Sequence, residues 1–455
     1  MLSEHLIPLR EVNNVVKKDL CIGCGFCKIS LSNERLTSTN VSMKYDSSTS
    51  LFTPEVLEPD DQALVFCPGK TMPLRTLHEN KFGMKSTSYL GATLKTFAGW
   101  QTNSDKRLAA ASGGISSAII EHLLSTGEVS KVYMAVNRGT KDGSYGEYTS
   151  EITRIAEGYD SIYHAVDFGR DLDELIKDTS KFVFVGLPCE IATIEALKNH
   201  DSEFRGRCVL TVGLFCGGVN RFEGVEWYIR KMAKSIGNIT KVNYRNGFWP
   251  GAIRVESGEN VSNIPRIMGN SRRNILKYIA AFQGPWMLKR CRICPDQVSH
   301  LADISLGDPH LAKYKGKNNL GVSAIVVRTD KGESVISELK SANKIEIEYL
   351  SEEEIIESQG YTLKNRTHAD LYAQVATRLG LHSPSIETLT IDSSDSRYLE
   401  KIPMFALIDL LKIKYRKNKF LLLIISPIQL MEYLFVRFTP SEFMRKAKSL
   451  VSNKQ

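Results

Sequence analysis

The sequence predicts an α/β core domain, flanked by a small N-terminal unit built around cysteines and by a helical, basic C-terminal tail. Three observations lead there. From about residue 86 to 385, short apolar runs alternate with helical patterns, as expected of strands and helices packed in layers. Before that stretch, Cys21, Cys24, Cys27 and Cys67 lie in a loop-rich segment. After it the charge becomes one-sided: Lys401 to Gln455 holds eleven Lys and Arg against three acidic residues, which accounts for the whole net charge of +8. The rest of the chain is neutral, so a diffuse basic surface for nucleic acid is not indicated. At 455 residues there is room for two or three domains with a well-buried core.

The N-terminal unit spans residues 1–85. In C-I-G-C-G-F-C, Cys21, Cys24 and Cys27 put three thiolates on one tight turn, each able to take a different iron of a cubane cluster. Cys67, followed by Pro68, supplies the remote fourth, which makes this a ferredoxin-like 4Fe-4S pattern. Gly23 and Gly25 let the backbone approach the inorganic sulfides. A zinc knuckle or a set of disulfides is the alternative, but zinc sites favour separate C-x2-C pairs over an overlapping triple. Nine cysteines are too few and too odd in number for a disulfide scaffold. With no basic and apolar leader in M-L-S-E-H-L-I-P, the expected location is a reducing cytoplasm. Ser30 to Pro54, rich in Ser, Thr and Asn, reads as a long surface excursion.

The core spans residues 86–385. Strands are expected at Lys131–Val136, Lys181–Val185, Val209–Leu214 and Ser323–Val327, and helices after Gly113, from near Glu190, and from Phe222 to about Ile236. Cys189 and Cys216 each follow a strand pattern, and Cys291 and Cys294 form C-R-I-C-P. Residues just past strand C-termini converge on one edge of an α/β sheet, so these four cysteines form a second ligand set. By spacing alone it suits a four-cysteine zinc site as well as a second cluster. Cys208 begins a strand and reads as a buried structural thiol.

Ser112, Gly113 and Gly114 open a helix, and free N–H groups at such a turn suit a phosphate or the electron-rich edge of a flavin. An ordinary N-cap is the plainer reading. The turn is neither G-x-G-x-x-G nor a P-loop. In Ala302-Asp-Ile-Ser-Leu-Gly-Asp308, Asp303 and Asp308 are candidates to accept hydrogen bonds from a ribityl chain, or simply turn formers. His300 and His310 flank that motif as candidate proton donors. Tyr244-Arg-Asn-Gly-Phe-Trp-Pro-Gly251 reads either as a platform for a planar cofactor or as a hairpin. No hydrolase set is visible, and no residue is assigned a catalytic role.

Taken in order, C-I-G-C-G-F-C, Cys67-Pro68, Ala111-Ser-Gly-Gly114, Gly186-Leu-Pro-Cys-Glu190, Phe215-Cys-Gly-Gly218, Tyr244-Arg-Asn-Gly, Cys291-Arg-Ile-Cys294 and Ala302–Asp308 resemble the coenzyme F420 hydrogenase/dehydrogenase beta-subunit family across residues 15–385. The resemblance implies FAD beside a 4Fe-4S cluster on Cys189, Cys216, Cys291 and Cys294, with a second cluster on the N-terminal cysteines. It implies that Ser112, Gly113 and Gly114 lie against the flavin, with Gly307 and Asp308 nearby. The implied activity is that of an oxidoreductase passing electrons between a ferredoxin-like donor, two clusters, FAD and an organic substrate or deazaflavin. The alternative is a non-catalytic electron-transfer subunit of a larger complex. One departure stands out: Leu187 and Glu190 replace the family's commoner Thr and Gln around Cys189, which puts a carboxylate beside that cysteine.

Residues 386–455 read as a polar linker to residue 400 and then the basic tail. Residues 403–411 are apolar-rich, Lys412 to Lys419 is basic, and Phe420 to Met431 is uncharged. Pro427 and Glu432 interrupt a run too short to span a bilayer. Such a tail suits peripheral contact at the inner, anionic face of a membrane, or packing onto protein.

Overall fold

The computed structural model describes residues 11–56, 64–137, 144–233, 236–266, 272–316, 319–391 and 402–416. The N-terminal unit holds β1 (Ile29–Ser32), β2 (Arg35–Ser38), β3 (Val41–Asp46), β4 (Leu51–Val56) and β5 (Thr71–Pro73). The stretch expected as an irregular excursion is therefore two hairpins, β1 with β2 and β3 with β4. Asn33 and Glu34 turn the first with φ of 48° and 61°, the left-handed pair that two-residue hairpins require. Leu31, Leu36, Val41 and Phe52, scattered among the polar residues, supply its packed face.

The core is one eight-stranded sheet. It contains β6 (Lys95–Gln101), β7 (Lys131–Val136), β8 (Tyr145–Thr149), β9 (Phe182–Gly186) and β10 (Cys208–Leu214). A hairpin sheet of β11 (Lys241–Asn246), β12 (Ala252–Ser257) and β13 (Asn260–Pro265) is inserted before β14 (Ile304–Gly307), β15 (Ser323–Val327) and β16 (Ile345–Tyr349) complete it. The order is β16-β6-β15-β14-β10-β9-β7-β8. Strands β14, β10, β9 and β7 run parallel, and the others are antiparallel.

Phe182-Val-Phe-Val-Gly186 explains why the centre is parallel. Every residue of that strand is buried, as required when both faces of a sheet are covered. Side chains alternate faces at period two. Val183 and Val185 pack with Leu210, Val212, Ile304 and Ile119 on one side. Phe182 and Phe184 pack with Ile191, Leu197, Phe26 and Phe66 on the other. The second side is where the N-terminal unit docks. Register pairs Val212 with both Val185 and Ile304, so β9, β10 and β14 end together on one edge.

The helices expected after Gly113 and near Glu190 are Ile115–Ser125 and Pro188–His200. The third runs Phe222–Met232, ending short of Ile236. The expected linker starts as structure: β17 (Ser385–Glu387) pairs in parallel with β5, and Leu389 is buried. In the tail, helix Ile402–Lys414 packs Ile402, Ala406 and Leu410 against Tyr372 and Ala376. Arg292 pairs with Asp409 at 2.9 Å. Packing onto protein is therefore what the beginning of the tail does. The uncharged run from Phe420 and the final basic segment lie outside the described residues, as do residues 1–10. Among the described residues no helix is long and apolar enough to cross a membrane.

Candidate functional site

The common edge of β9, β10 and β14 opens into a cavity of about 300 Å³. Cys189 enters it from the start of helix Pro188–His200, two residues past the Leu187 cap, and Cys216 enters just after β10. Cys291 and Cys294 arrive from the short helix Lys289–Arg292 and the turn after it. All four border the same space. The N-terminal quartet is brought together as well: Cys21, Cys24, Cys27 and Cys67 line a narrower cavity with Val15, Leu64 and Gly69. Gly23 and Gly25 hold φ of 75° and 73° in that turn, a conformation that favours glycine. Cys24 borders both cavities.

All nine cysteines are free thiols. Among the described residues, no three His, Cys, Asp or Glu side chains are close enough to share one metal ion. Each quartet surrounds a cavity. Burial pushes the Cys21 and Cys216 thiols up to about 12 and raises Cys24, Cys27, Cys67, Cys189 and Cys291. Thiolates there need a compensating positive charge. The buried Arg366 guanidinium, on the wall of the larger cavity, faces Cys216, Cys291 and Cys294. Cys208 sits apart, buried at the start of β10.

Ser112 and Gly114 line the larger cavity, but Gly113 does not. A Cβ at Gly113 would meet the Gly99 carbonyl at 2.4 Å and Ser323 N at 2.7 Å, so this glycine lets the helix start press against β6 and β15. Gly307, the last residue of β14, and Asp308 just past it line the cavity. Asp308 pairs with Arg245 at 2.5 Å. Burial alone would raise its carboxyl, but Arg245, His310 and the Ser112 hydroxyl outweigh it and hold it at about 2. Tyr244-Arg-Asn-Gly is the β11–β12 hairpin, and through Arg245 it is also part of the cavity wall.

Two expected candidates take other roles. Asp303 accepts hydrogen bonds from Thr211 N and Oγ1 at 2.7 Å and pairs with Lys81 at 3.0 Å, pinning β14 to β10 from within. His300 is fully buried, paired with Asp296 at 2.8 Å and bonded to the Tyr89 carbonyl at 3.0 Å. It is sequestered from solvent and is not on the cavity wall. His310 is exposed, its ring 6.2 Å from Trp249. Glu190 does lie beside Cys189, where its carboxylate accepts the Leu187 N–H at 2.6 Å and caps the helix from inside. Burial raises it to about 7. Tyr163, Arg245 and Arg366 are cavity residues to which no role could be given from sequence. Only Arg245 lies within a motif.

Residues 179–353, which contain the second cysteine quartet, Gly307 and Asp308, match the family model for the C terminus of the coenzyme F420 hydrogenase/dehydrogenase beta subunit. The chain is 21% identical over 353 residues to the coenzyme F420-dependent sulfite reductase of Methanocaldococcus jannaschii, a match covering 74% of this chain and 49% of that protein. It is 27% identical over 169 residues to coenzyme F420 hydrogenase subunit beta of Methanococcus voltae, covering 36% of this chain and 51% of that one. The chain thus spans about half the length of the curated relatives it matches. A chain of the F420-reducing NiFe hydrogenase complex of Methanosarcina barkeri superposes with a TM-score of 0.47 and 18% identity, over 63% of this chain and 94% of that one. The similarity to the coenzyme F420 hydrogenase/dehydrogenase beta subunit is thus carried by the segment that holds the second cysteine quartet.

Proposed function

We propose that this chain is an iron–sulfur flavoprotein oxidoreductase that exchanges electrons between a ferredoxin-like carrier and an organic substrate or deazaflavin. One observation carries the reading: a single cavity wall combines four cysteines, Ser112 and Gly114 at a helix start, and Asp308. The donor chemistry fits. Cys21, Cys24, Cys27 and Cys67 would hold one 4Fe-4S cluster, and Cys189, Cys216, Cys291 and Cys294 the other. Ser112, Gly114, Gly307 and Asp308 would hold FAD, with N–H groups and a fixed carboxylate against its polar side. When bound, these groups let single electrons be combined into a two-electron transfer.

The chain's own residues provide the setting. Phe168, Met134 and Val185 give the cavity apolar walls. Arg366 offsets thiolate charge. Arg245 keeps Asp308 ionised and aligned as an acceptor. The free thiols fit a reducing cytoplasm. The tail beyond residue 416 is proposed as the point of peripheral contact with an anionic membrane face.

The test is anaerobic purification with iron, acid-labile sulfide, zinc and flavin analysis. About eight iron, eight sulfide and one FAD per chain are expected. Zinc in place of half the iron, or no flavin, overturns the reading at the larger cavity. A relative whose name denotes a hydrogenase subunit favours a second reading, an electron-transfer subunit without its own substrate. Turnover by the isolated chain with a ferredoxin or artificial donor separates the two.

A further inference from the structure

Two buried arginines beside the cavity carry more donors than the protein satisfies. Arg245 donates from Nε to the Tyr163 hydroxyl at 3.1 Å and pairs through Nη2 with Asp308. Its Nη1 is buried with no partner, though the side chain is only 9% exposed. Arg266, 7% exposed, stacks its guanidinium 4.7 Å from the centre of the Tyr163 ring and donates from Nη2 to the Tyr278 hydroxyl at 3.2 Å. Its Nε and Nη1 are also buried and unpartnered, as is Trp249 Nε1. These residues form one group, because both guanidinium groups act on Tyr163 and on His310, and Trp249 packs near the His310 ring.

Leaving a buried donor unpaired is costly, and more so for a charged group. Four such atoms fall on this one group of side chains, and each calls for a partner. The nearby carboxylates cannot fill them. Asp308 is taken by Arg245. Asp160 accepts from Ser161 N, Tyr244 N, Arg245 N and Asn137 Nδ2 at 2.8–3.1 Å. What fits is an acceptor from outside the chain, and guanidinium forks match the paired oxygens of a carboxylate or phosphate. The two positive groups also outweigh burial at Tyr163 and hold its phenol below its ordinary value, as expected where anionic oxygen is favoured.

We infer that Arg245, Arg266 and Trp249 form an oxyanion socket, which binds the carboxylate or phosphate group of an acidic substrate and directs the remainder into the cavity. The inference rests on the flavoprotein reading for what lies in that cavity, but the socket is testable without it. One other source has the same chemistry, the diphosphate of FAD.

The probe is inorganic phosphate, titrated by calorimetry into the full chain with and without FAD, with matched chloride as control. The wild-type chain is expected to take one phosphate saturably. Arg266→Gln, whose amide can keep the Tyr278 contact, is expected to weaken it by about tenfold or more. Iron and flavin contents are measured in parallel. Unchanged flavin in Arg266→Gln, with phosphate binding lost, assigns the socket to the substrate. Joint loss of phosphate and flavin binding supports the socket and assigns it to FAD. Should Arg266→Gln fail to fold, Arg266→Lys retains the charge without the fork and should bind phosphate more weakly than wild type. No phosphate binding to wild type in either state, or equal binding by the folded variants, overturns the inference. A chain that binds phosphate through Arg266 but no flavin sinks the flavin reading and leaves the socket standing.

Discussion

His78 is fully buried, and its Nε2 accepts the Ala92 N–H at 3.0 Å, which requires the neutral ring. Burial, helped by His300 and Arg328, lowers its pKa to about 4 from 6.5. Between those values the unfolded chain binds more protons than the folded one, so stability is lost as pH falls through that window. The full effect of one such histidine is about 3 kcal/mol. His164, also held near 4 by burial, adds to it. His78→Gln supplies an acceptor that does not titrate, so its denaturant midpoint should fall less than that of wild type between pH 7 and pH 5. An identical pH slope in the two proteins would remove His78 from the account. The same residue scale shows what a sequence makes readable. Cysteines at fixed intervals marked the N-terminal quartet, because ligand spacing is a local property, whereas Cys189 and Cys216 were grouped with Cys291 and Cys294 only through the strand ends they follow. Gly113 misled, since a glycine needed for close packing looks like one needed for a ligand. Arg266 and Arg366 gave no signal, because isolated charges acquire meaning only when the fold buries them together.

At the scale of elements, strands β7 and β15 were legible to the residue, since Val132–Val136 and Ala324–Val327, each behind one polar residue, are apolar runs inside a covered sheet. The β1–β4 hairpins were not. Their strands mix Ser and Thr with isolated apolar residues, and one face is solvated, so composition read as loop. The tail helix was ambiguous for a different reason: an apolar stripe beside Lys residues serves a membrane or a protein groove equally well, and only the partner decides. Here the partner is helix Ala369–Arg378. Leu410 is fully buried in that contact, and Leu410→Ala should cost about 2–5 kcal/mol of that docking. Hydrogen exchange is expected to speed over residues 402–414 while β9 and β10 stay protected. If protection is unchanged, or the whole sheet opens with the helix, then the helix is not a separately docked element.

For the molecule as a whole, the decisive feature is that the two cysteine chambers are fixed side by side. Gly25 crosses Gly169 so closely that a Cβ on Gly25 would lie 2.6 Å from the Gly169 Cα. Lys28 donates to the Gly169 and Arg170 carbonyls at 3.1 and 3.0 Å and pairs with Asp173. Arg290, almost fully buried, donates to the Pro68 carbonyl at 2.6 Å and the Ile293 carbonyl at 3.2 Å, which ties the residue after Cys67 to the residue before Cys294. Asp19, two residues before Cys21, pairs with Arg221 of the core at 2.7 Å and Arg416 of the tail at 2.8 Å. These contacts hold the two quartets against each other, and Cys24 borders both cavities. If each quartet holds a cluster as proposed, the fully reduced protein should give an electron paramagnetic resonance spectrum broadened by interaction between two nearby spins. Cys67→Ser, which removes one ligand of the N-terminal quartet, should leave a simpler signal with about half the spins. A wild-type spectrum equal to the sum of two isolated signals would mean that the clusters are not the neighbours this docking makes them, and the electron path from the N-terminal unit to the cavity would have to be abandoned.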